Sequence, residues 1–168
     1  VKNDSKTVQW GAMYYQYFEK LENIGKSTSG VNISKKLFIE RDGDKGKYIV
    51  PVDEKNPIKI GDKIKVRIEI RSDRDMEFVH LKDMRGAGFE PLNTLSTYKY
   101  QDGLGYYEET QDSSQNFFFD YLPKGTHVFE YPLTAFNAGN FSAGIATMQC
   151  MYAPEFSSHS EGIRVRIE

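Results

Sequence analysis

The stretch KIKVRIEIR, residues 63–71, decides the fold class. Aliphatic side chains recur at every second position, and lysine, arginine or glutamate fills each position between them. A period of two places the aliphatic side chains on one face of an extended strand and the charges on the other. The aliphatic set is Ile64, Val66, Ile68 and Ile70. One buried and one solvated face are typical of an antiparallel sheet.

Other segments repeat this pattern along the chain. Ile163, Val165 and Ile167 alternate with charged residues and predict a C-terminal strand. Turn signals separate the remaining apolar runs: Asp42-Gly43 and Asp102-Gly103 predict type I′ hairpins, and the sequence 122–125, LPKG, predicts a tight turn. The further predicted strands are Phe78–Leu81, Phe117–Tyr121, Thr126–Leu133 and Phe141–Met151. Several short strands at this spacing predict an all-β, antiparallel β-sandwich.

The N-terminal segment is ambiguous. Within residues 10–24, Met13, Tyr17, Leu21 and Ile24 fit a helical stripe, whereas the many tyrosines favour a strand, one that could extend the sheet of another domain. The following GKSTSG, residues 25–30, predicts a flexible joint. We therefore divide the chain into a short N-terminal segment, residues 1–30, and a sandwich, residues 31–168.

Charge and hydropathy exclude two classes of partner. The 168 residues carry a formal net charge of −2, with 22 basic and 24 acidic side chains interspersed along the chain. No stretch has the concentrated positive charge that nucleic acid requires. No apolar run approaches the roughly 20 residues that cross a bilayer, so we predict no direct membrane insertion. Because the first residue is Val1, we expect the sequence to be a processed or excised piece whose targeting segment lies outside it.

We find no pattern that predicts catalysis, a metal or a cofactor. His80, His127 and His159 are far apart and lack metal-ligand spacing, so structural roles are predicted for them. The residues 42–53 superficially resemble a calcium loop but lack the glutamate at its twelfth position. Cys150 has no partner for an internal disulfide and is interpreted as a buried small hydrophobe or a free thiol. We predict a non-catalytic binding module.

Four tyrosines surround the turn predicted at residues 102–103. Exposed tyrosines of this kind could stack on a sugar or on a protein partner. Alternation along a strand would instead send half of them into the core, and the sequence leaves both interpretations open. A carbohydrate-binding sandwich is therefore the alternative function. The four tyrosines are Tyr98, Tyr100, Tyr106 and Tyr107.

A series of short motifs gives the chain a family resemblance. These are Gly61-Asp62-Lys63, Asp83 followed by AGFE at 87–90, FFFDYLPKG at 117–125, the Tyr131-x-Leu133 pair, Gly139-x-Phe141 and MYAPE at 151–155. In this order, residues 31–168 resemble the C-terminal macroglobulin-like domain of bacterial alpha-2-macroglobulin family proteins. The details are most similar to the large Bacteroidetes-type members.

The resemblance implies a function for the parent protein. It implies a periplasmic or lipid-anchored protease trap of the cell envelope, whose bait region is cleaved and whose thioester then captures the protease. This sequence lacks the CxEQ motif of a thioester, so the thioester would belong to another domain. Residues 1–30 would then trail from the preceding thioester/CUB-like region, which would make residues 8–24 a strand.

The resemblance also implies a site. Met151 and Tyr152 would pack over the thioester and exclude water, with Pro154 in the same interdomain contact. Partners would be the thioester domain of the same chain and, for the parent, proteases. A thioether and an aromatic ring suit this task because they exclude water yet can be released. The residues alone equally allow Met151 and Tyr152 to be plain core.

Overall fold

The computed structural model describes residues 7–8, 10–27 and 30–168. Antiparallel strands dominate these residues, which confirms the predicted all-β sandwich. No helix in this part of the chain is long and apolar enough to cross a bilayer. The strands are β1 (Val31–Gly43), β2 (Gly46–Pro51), β3 (Lys63–Ser72), β4 (Met76–Met84), β5 (Phe89–Pro91), β6 (Thr97–Gln101), β7 (Leu104–Thr110), β8 (Ser114–Leu122), β9 (Gly125–Ala135), β10 (Gly139–Ser142), β11 (Ala146–Cys150), β12 (Ala153–His159) and β13 (Arg164–Ile167).

Two main sheets stack face to face. The five-stranded sheet has the order β2-β1-β3-β9-β5, and the six-stranded sheet has the order β12-β11-β4-β8-β7-β6. A small sheet pairs β10 with β13. The β3 alternation is confirmed, because Ile64, Val66, Ile68 and Ile70 are all buried. In each main sheet we call the face toward the other sheet the inner face and the opposite face the outer face.

The predicted turns are correct at two of three places. Asp102 and Gly103 both have positive φ, +50° and +81°, as a type I′ hairpin between β6 and β7 requires. Residues 122–125 form a turn, but it carries the chain from the six-stranded to the five-stranded sheet. The prediction at Asp42-Gly43 is wrong by two residues, because Gly43 pairs with Gly46 and the turn falls at residues 44–45.

The predicted strand Phe141–Met151 is wrong, because the chain breaks it into β10 and β11. Gly144 between them has a φ of +76°, which glycine adopts without the steric cost of a side chain. A Cβ at this position would stand 2.5 Å from the Met84 carbonyl oxygen. The interruption moves the chain from the small sheet to the six-stranded sheet, a change that alternation within one strand does not encode.

Aromatic rings fill the space between the main sheets. Tyr106, Phe117 and Phe119 on the six-stranded sheet surround Phe129 of β9, with ring centroids 5.1–5.7 Å from that ring. Phe117 also lies 6.2 Å from the ring of Tyr131. Tilted and edge-to-face contacts at these distances add to the free energy gained by burying the rings.

A buried polar junction also joins the two sheets. Lys35 of β1 places its Nζ 2.6 Å from Oδ1 of Asp83 on β4, and both side chains are almost completely buried. The same ammonium donates to the carbonyl oxygens of Met84 and Ala143 at 2.9 and 2.7 Å. The Tyr131 hydroxyl donates to Asp83 Oδ2. Each charge therefore has a partner and several hydrogen bonds, the condition under which a buried ion pair is tolerated.

The N-terminal segment runs outside the sandwich. Residues 10–20 adopt neither the helix nor the strand that the sequence allowed, and a single 3₁₀ turn follows at Leu21–Asn23. Large apolar side chains in this segment are almost fully exposed, such as Trp10 at 93%. Within the part of the chain that the structure describes, these side chains do not pack on the core, so a helical stripe gains no burial energy here.

The end of this segment is attached to the edge of the six-stranded sheet. Ser27 and His159 exchange two backbone hydrogen bonds of 3.1 Å each, and Gly162 N–H donates to the Ile24 carbonyl at 3.0 Å. Arg164 pairs with Glu22 at 2.5 Å. The sequence predicted a flexible joint at residues 25–30. Positions 28 and 29 lie outside the described residues, and Ser27 is hydrogen-bonded to His159.

Candidate functional site

The candidate site is the two-residue connection between β11 and β12. Cys150 pairs with Ala153, so Met151 and Tyr152 form the tip of the hairpin. Met151 is 60% exposed and Tyr152 is 82% exposed, whereas Cys150 just before them is buried. The structure thus places this dipeptide at the surface and outside the core. Two large apolar side chains at a strand connection form an unusual protrusion, since such tips are normally polar.

Phe78 of β4 supports this protrusion from the neighbouring strand. Its carbonyl oxygen accepts the Met151 N–H at 2.9 Å, and its ring meets the Tyr152 ring edge-on with centroids 5.1 Å apart. Phe78 has a φ of +51°, a left-handed conformation that costs a bulky residue about 1–3 kcal/mol. The contacts to Met151 and Tyr152 hold this strained backbone in place. Sequence reasoning placed Phe78 only at the start of a strand and missed this role.

A cleft of about 520 Å³ lies beside the tip. Its floor includes Cys150, and its walls include Phe78, Tyr152 and Phe156. The Arg74 guanidinium stacks over the Phe156 ring at 5.2 Å, which closes one side. Burial, and then the nearby Glu155 carboxylate, raise the pKa of the Cys150 thiol, so the thiolate is disfavoured. This arrangement offers apolar contact and no activated nucleophile.

Pro154, the third residue predicted at this contact, is exposed on β12. β12 is the edge strand of the six-stranded sheet, where a residue without an N–H leaves no partner unpaired. Pro154 therefore lies beside the Met151–Tyr152 tip, and its ring is available to a neighbouring surface.

The four tyrosines predicted as a binding surface separate into two groups. Tyr98 and Tyr100 are exposed by 81% and 78%, and Tyr107 is half-buried beside Tyr98, with ring centroids 4.9 Å apart. Tyr106 is instead 7% exposed and packs on Phe119 at 5.6 Å, so the prediction that it contributes to a surface is corrected. On β7, Tyr106 lies on the inner face of the sheet and Tyr107 lies on the outer face.

The histidines have structural hydrogen bonds. His80 stacks on Phe118 at 4.6 Å and contacts Asn116 Oδ1 through Nε2 at 3.0 Å. His127 Nε2 lies 2.8 Å from the Pro123 carbonyl, and His159 Nδ1 lies 3.0 Å from the Ser160 carbonyl. Within residues 7–8, 10–27 and 30–168, no three His, Cys, Asp or Glu side chains converge as a metal site would require.

Comparison with known proteins identifies related sequences and folds. A family model described as the bacterial alpha-2-macroglobulin MG10 domain matches residues 30–155. Among solved structures, Escherichia coli alpha-2-macroglobulin activated by porcine elastase is similar, with a TM-score of 0.68, 14% identity, and coverage of 86% of this chain and 14% of that one. No curated protein sequence matches the chain.

Two further structures have the same fold. Salmonella alpha-2-macroglobulin reacted with methylamine gives a TM-score of 0.65 and 14% identity, and covers 86% of this chain and 10% of that one. Native E. coli alpha-2-macroglobulin spanning domain MG7 to the C-terminus gives a TM-score of 0.64 and 12% identity. The match covers 85% of this chain and 24% of that one. The chain thus spans a tenth to a quarter of the length of these proteins.

Proposed function

Because the chain belongs to the bacterial alpha-2-macroglobulin family through its MG10 domain, we propose that it is a non-catalytic module that packs against the thioester domain of its parent protein and shields the thioester. Met151 and Tyr152 make this contact, with Pro154 beside them. The parent is a protease inhibitor of the bacterial cell envelope, periplasmic or lipid-anchored, and its targets are proteases.

The observation that carries this proposal is the exposed apolar tip at Met151–Tyr152. Met151 and Tyr152 leave most of their apolar surface exposed at the hairpin tip, so a partner surface is expected there. Phe78 is held in a strained conformation beneath the tip, and strained backbone concentrates at functional sites. A preorganised apolar cap can exclude water and small nucleophiles from an acyl group beneath it.

The related structures support the function proposed for the parent protein. One relative is described as reacted with methylamine, the amine that attacks a thioester, and another as activated by elastase. The E. coli fragment from MG7 to the C-terminus contains a domain with this fold. For residues 31–168 we propose a C-terminal position in the parent protein. Residues 1–30 would then trail from the preceding thioester/CUB-like region.

The test is made in the full-length parent protein with Tyr152→Ala. We expect methylamine incorporation and release of the thioester thiol to accelerate by about tenfold, which corresponds to about 1.4 kcal/mol of lost shielding. Tyr48→Ala is the matched control, because Tyr48 is an exposed tyrosine on the other sheet. An unchanged thioester lifetime in Tyr152→Ala would contradict shielding.

A second variant separates the ring of Phe78 from its backbone. Phe78→Gly keeps the positive φ, which glycine adopts freely, and removes the ring that supports Tyr152. We expect an acceleration smaller than that of Tyr152→Ala. An effect larger than that of Tyr152→Ala would mean that Phe78 itself contacts the thioester domain and that Tyr152 is secondary.

A further inference from the structure

A second surface lies on the outer face of the six-stranded sheet, at its β6 edge. Tyr98, Tyr107 and Phe118 are direct cross-strand neighbours on β6, β7 and β8 and form a continuous aromatic row. Adjacent rings lie 4.9 and 6.4 Å apart. In the next row, Tyr100 is paired with Gly105. Asp120 lies two residues after Phe118 on β8 and is exposed on the same face of the sheet.

The glycine creates a depression in this surface. Gly105 has no side chain, so a gap opens beside the aromatic row, about 540 Å³ in volume, with Tyr100 and Asp120 in its walls. The Tyr100 ring leans over the glycine, with Cδ2 3.7 Å from the place where a Cβ would stand. Tyr100 itself is 78% exposed, so most of its ring faces solvent.

The depression combines two kinds of recognition chemistry. The exposed rings offer flat apolar faces on rigid strands, and such rings lose little conformational entropy on binding. Asp120 offers a carboxylate that has no hydrogen-bond or ion-pair partner among the described residues. A pyranose sugar has the complementary features, an apolar C–H face for stacking and hydroxyl donors for a carboxylate.

We propose that this depression is a glycan-binding site in which a pyranose ring stacks on Tyr100 and Tyr107 while its hydroxyls donate to Asp120. The site lies apart from the Met151–Tyr152 tip and does not depend on thioester shielding. It retains Tyr100 and Tyr107 of the carbohydrate hypothesis, adds Gly105 and Asp120, and excludes the buried Tyr106.

Two other occupants fit the geometry less well. A quaternary ammonium group needs rings that surround it, but Tyr98 and Tyr107 already contact each other, and Tyr100 leans over Gly105. An apolar protein surface would cover Asp120 and leave its charge desolvated and unpaired. A sugar hydroxyl can donate a hydrogen bond to the Asp120 carboxylate while the outer side of the sugar stays in water.

The test is binding of the whole 168-residue chain to an array of gluco-, galacto-, manno- and N-acetylhexosamine oligosaccharides, followed by calorimetry on the strongest binder. We expect saturable binding that weakens by about tenfold in Tyr100→Ala and by a similar factor in Asp120→Asn. Tyr48→Ala is the matched control, because Tyr48 is an exposed strand tyrosine whose ring also lies beside a glycine of the neighbouring strand, Gly43, with ring carbons 3.0–3.2 Å from the Cβ position of that glycine. Unchanged unfolding midpoints would establish that the variants are folded.

Three results would overturn the proposal. They are no binding to any oligosaccharide on the array, binding that Tyr100→Ala leaves unchanged, and saturable binding of tetramethylammonium chloride in preference to the sugars. A further variant, Gly105→Leu, tests the same site because the leucine side chain fills the depression. If this variant bound the glycan with undiminished affinity, the sugar would lie elsewhere on the chain.

Discussion

The inner and outer faces of the six-stranded sheet are built from the same strands, yet the aromatic side chains on β7 and β8 differ in exposure between the two faces. On β7 and β8, Tyr106 and Phe117 face inward and are buried, while their neighbours Tyr107 and Phe118 face outward and remain partly accessible. Inward-facing and outward-facing residues are adjacent in sequence, because successive side chains of a strand point to opposite faces of the sheet. Aromatic content therefore says little about the role of a strand here, and the phase of each residue decides it.

The largest expected effect tests this difference directly. Phe117→Ala removes a ring that contacts Phe129 and Tyr131 across the sandwich, and we expect the free energy of unfolding to fall by about 4 kcal/mol. Phe118→Ala, one residue further on the outer face, should cost less than about 1 kcal/mol. Urea unfolding of both variants measures the contrast. Equal losses would show that the two faces are energetically equivalent.

The next effect concerns the polar junction on the inner face. Asp83→Asn leaves the buried Lys35 ammonium without a counter-charge, and we expect a loss of about 3 kcal/mol. Lys36→Met is the control, because Lys36 is the exposed neighbour of Lys35 on β1. Urea unfolding again provides the measurement. If Asp83→Asn lowered the free energy of unfolding by less than the control does, water or rearranged neighbouring groups would be stabilising the Lys35 charge.

A smaller, pH-dependent effect is expected at Tyr131. Burial, and then the charge of Asp83, raise the pKa of Tyr131 well above its ordinary value. The unfolded chain releases this proton near pH 10 while the folded chain retains it. The stabilisation is therefore complete below about pH 10 and is lost as the pH rises above it, by up to about 1.4 kcal/mol per pH unit.

Tyr131→Phe isolates this contribution. At pH 7 the variant should lose about 1 kcal/mol, because Asp83 loses one hydrogen-bond donor. Between about pH 9 and about pH 11, the range around the ordinary tyrosine pKa, its stability should fall less steeply than that of the parent chain. Parallel slopes would contradict the assignment to Tyr131.

The smallest effect is expected at the tip. Tyr152→Ala removes a ring that is mostly in solvent, so the stability of the isolated chain should change by no more than about 0.5 kcal/mol. Thermal unfolding measures this change. A loss as large as that of Phe117→Ala would make Tyr152 a packing residue and would weaken its proposed role in shielding.

Local patterns predicted much of the fold. β3, β13 and the turn at residues 102–103 could be predicted because alternation and turn chemistry are encoded within a few residues. The inward position of Lys35 also leaves a local signal, since it falls in the buried phase between Ile33 and Leu37. Its partner Asp83 leaves none, because the pairing joins strands 48 positions apart.

The candidate site was predictable only in part. The Met151–Tyr152 pair could be singled out through its family resemblance, but its exposure depends on where β11 ends. The conformation of Phe78 depends on the Met151 amide, which comes from a distant strand. The inward position of Tyr106 could not be predicted, because Tyr107 beside it is an equally good core residue.

The attachment of residues 21–27 to β12 has a consequence for self-association. At one margin of the six-stranded sheet, Ser27 pairs with His159 of β12 and the Glu22–Arg164 ion pair lies nearby, so a second molecule cannot pair with the His159 backbone there. The opposite margin is β6, a five-residue strand. Within the six-stranded sheet, a strand added from a second molecule would therefore meet less obstruction at β6 than at the His159 end of β12.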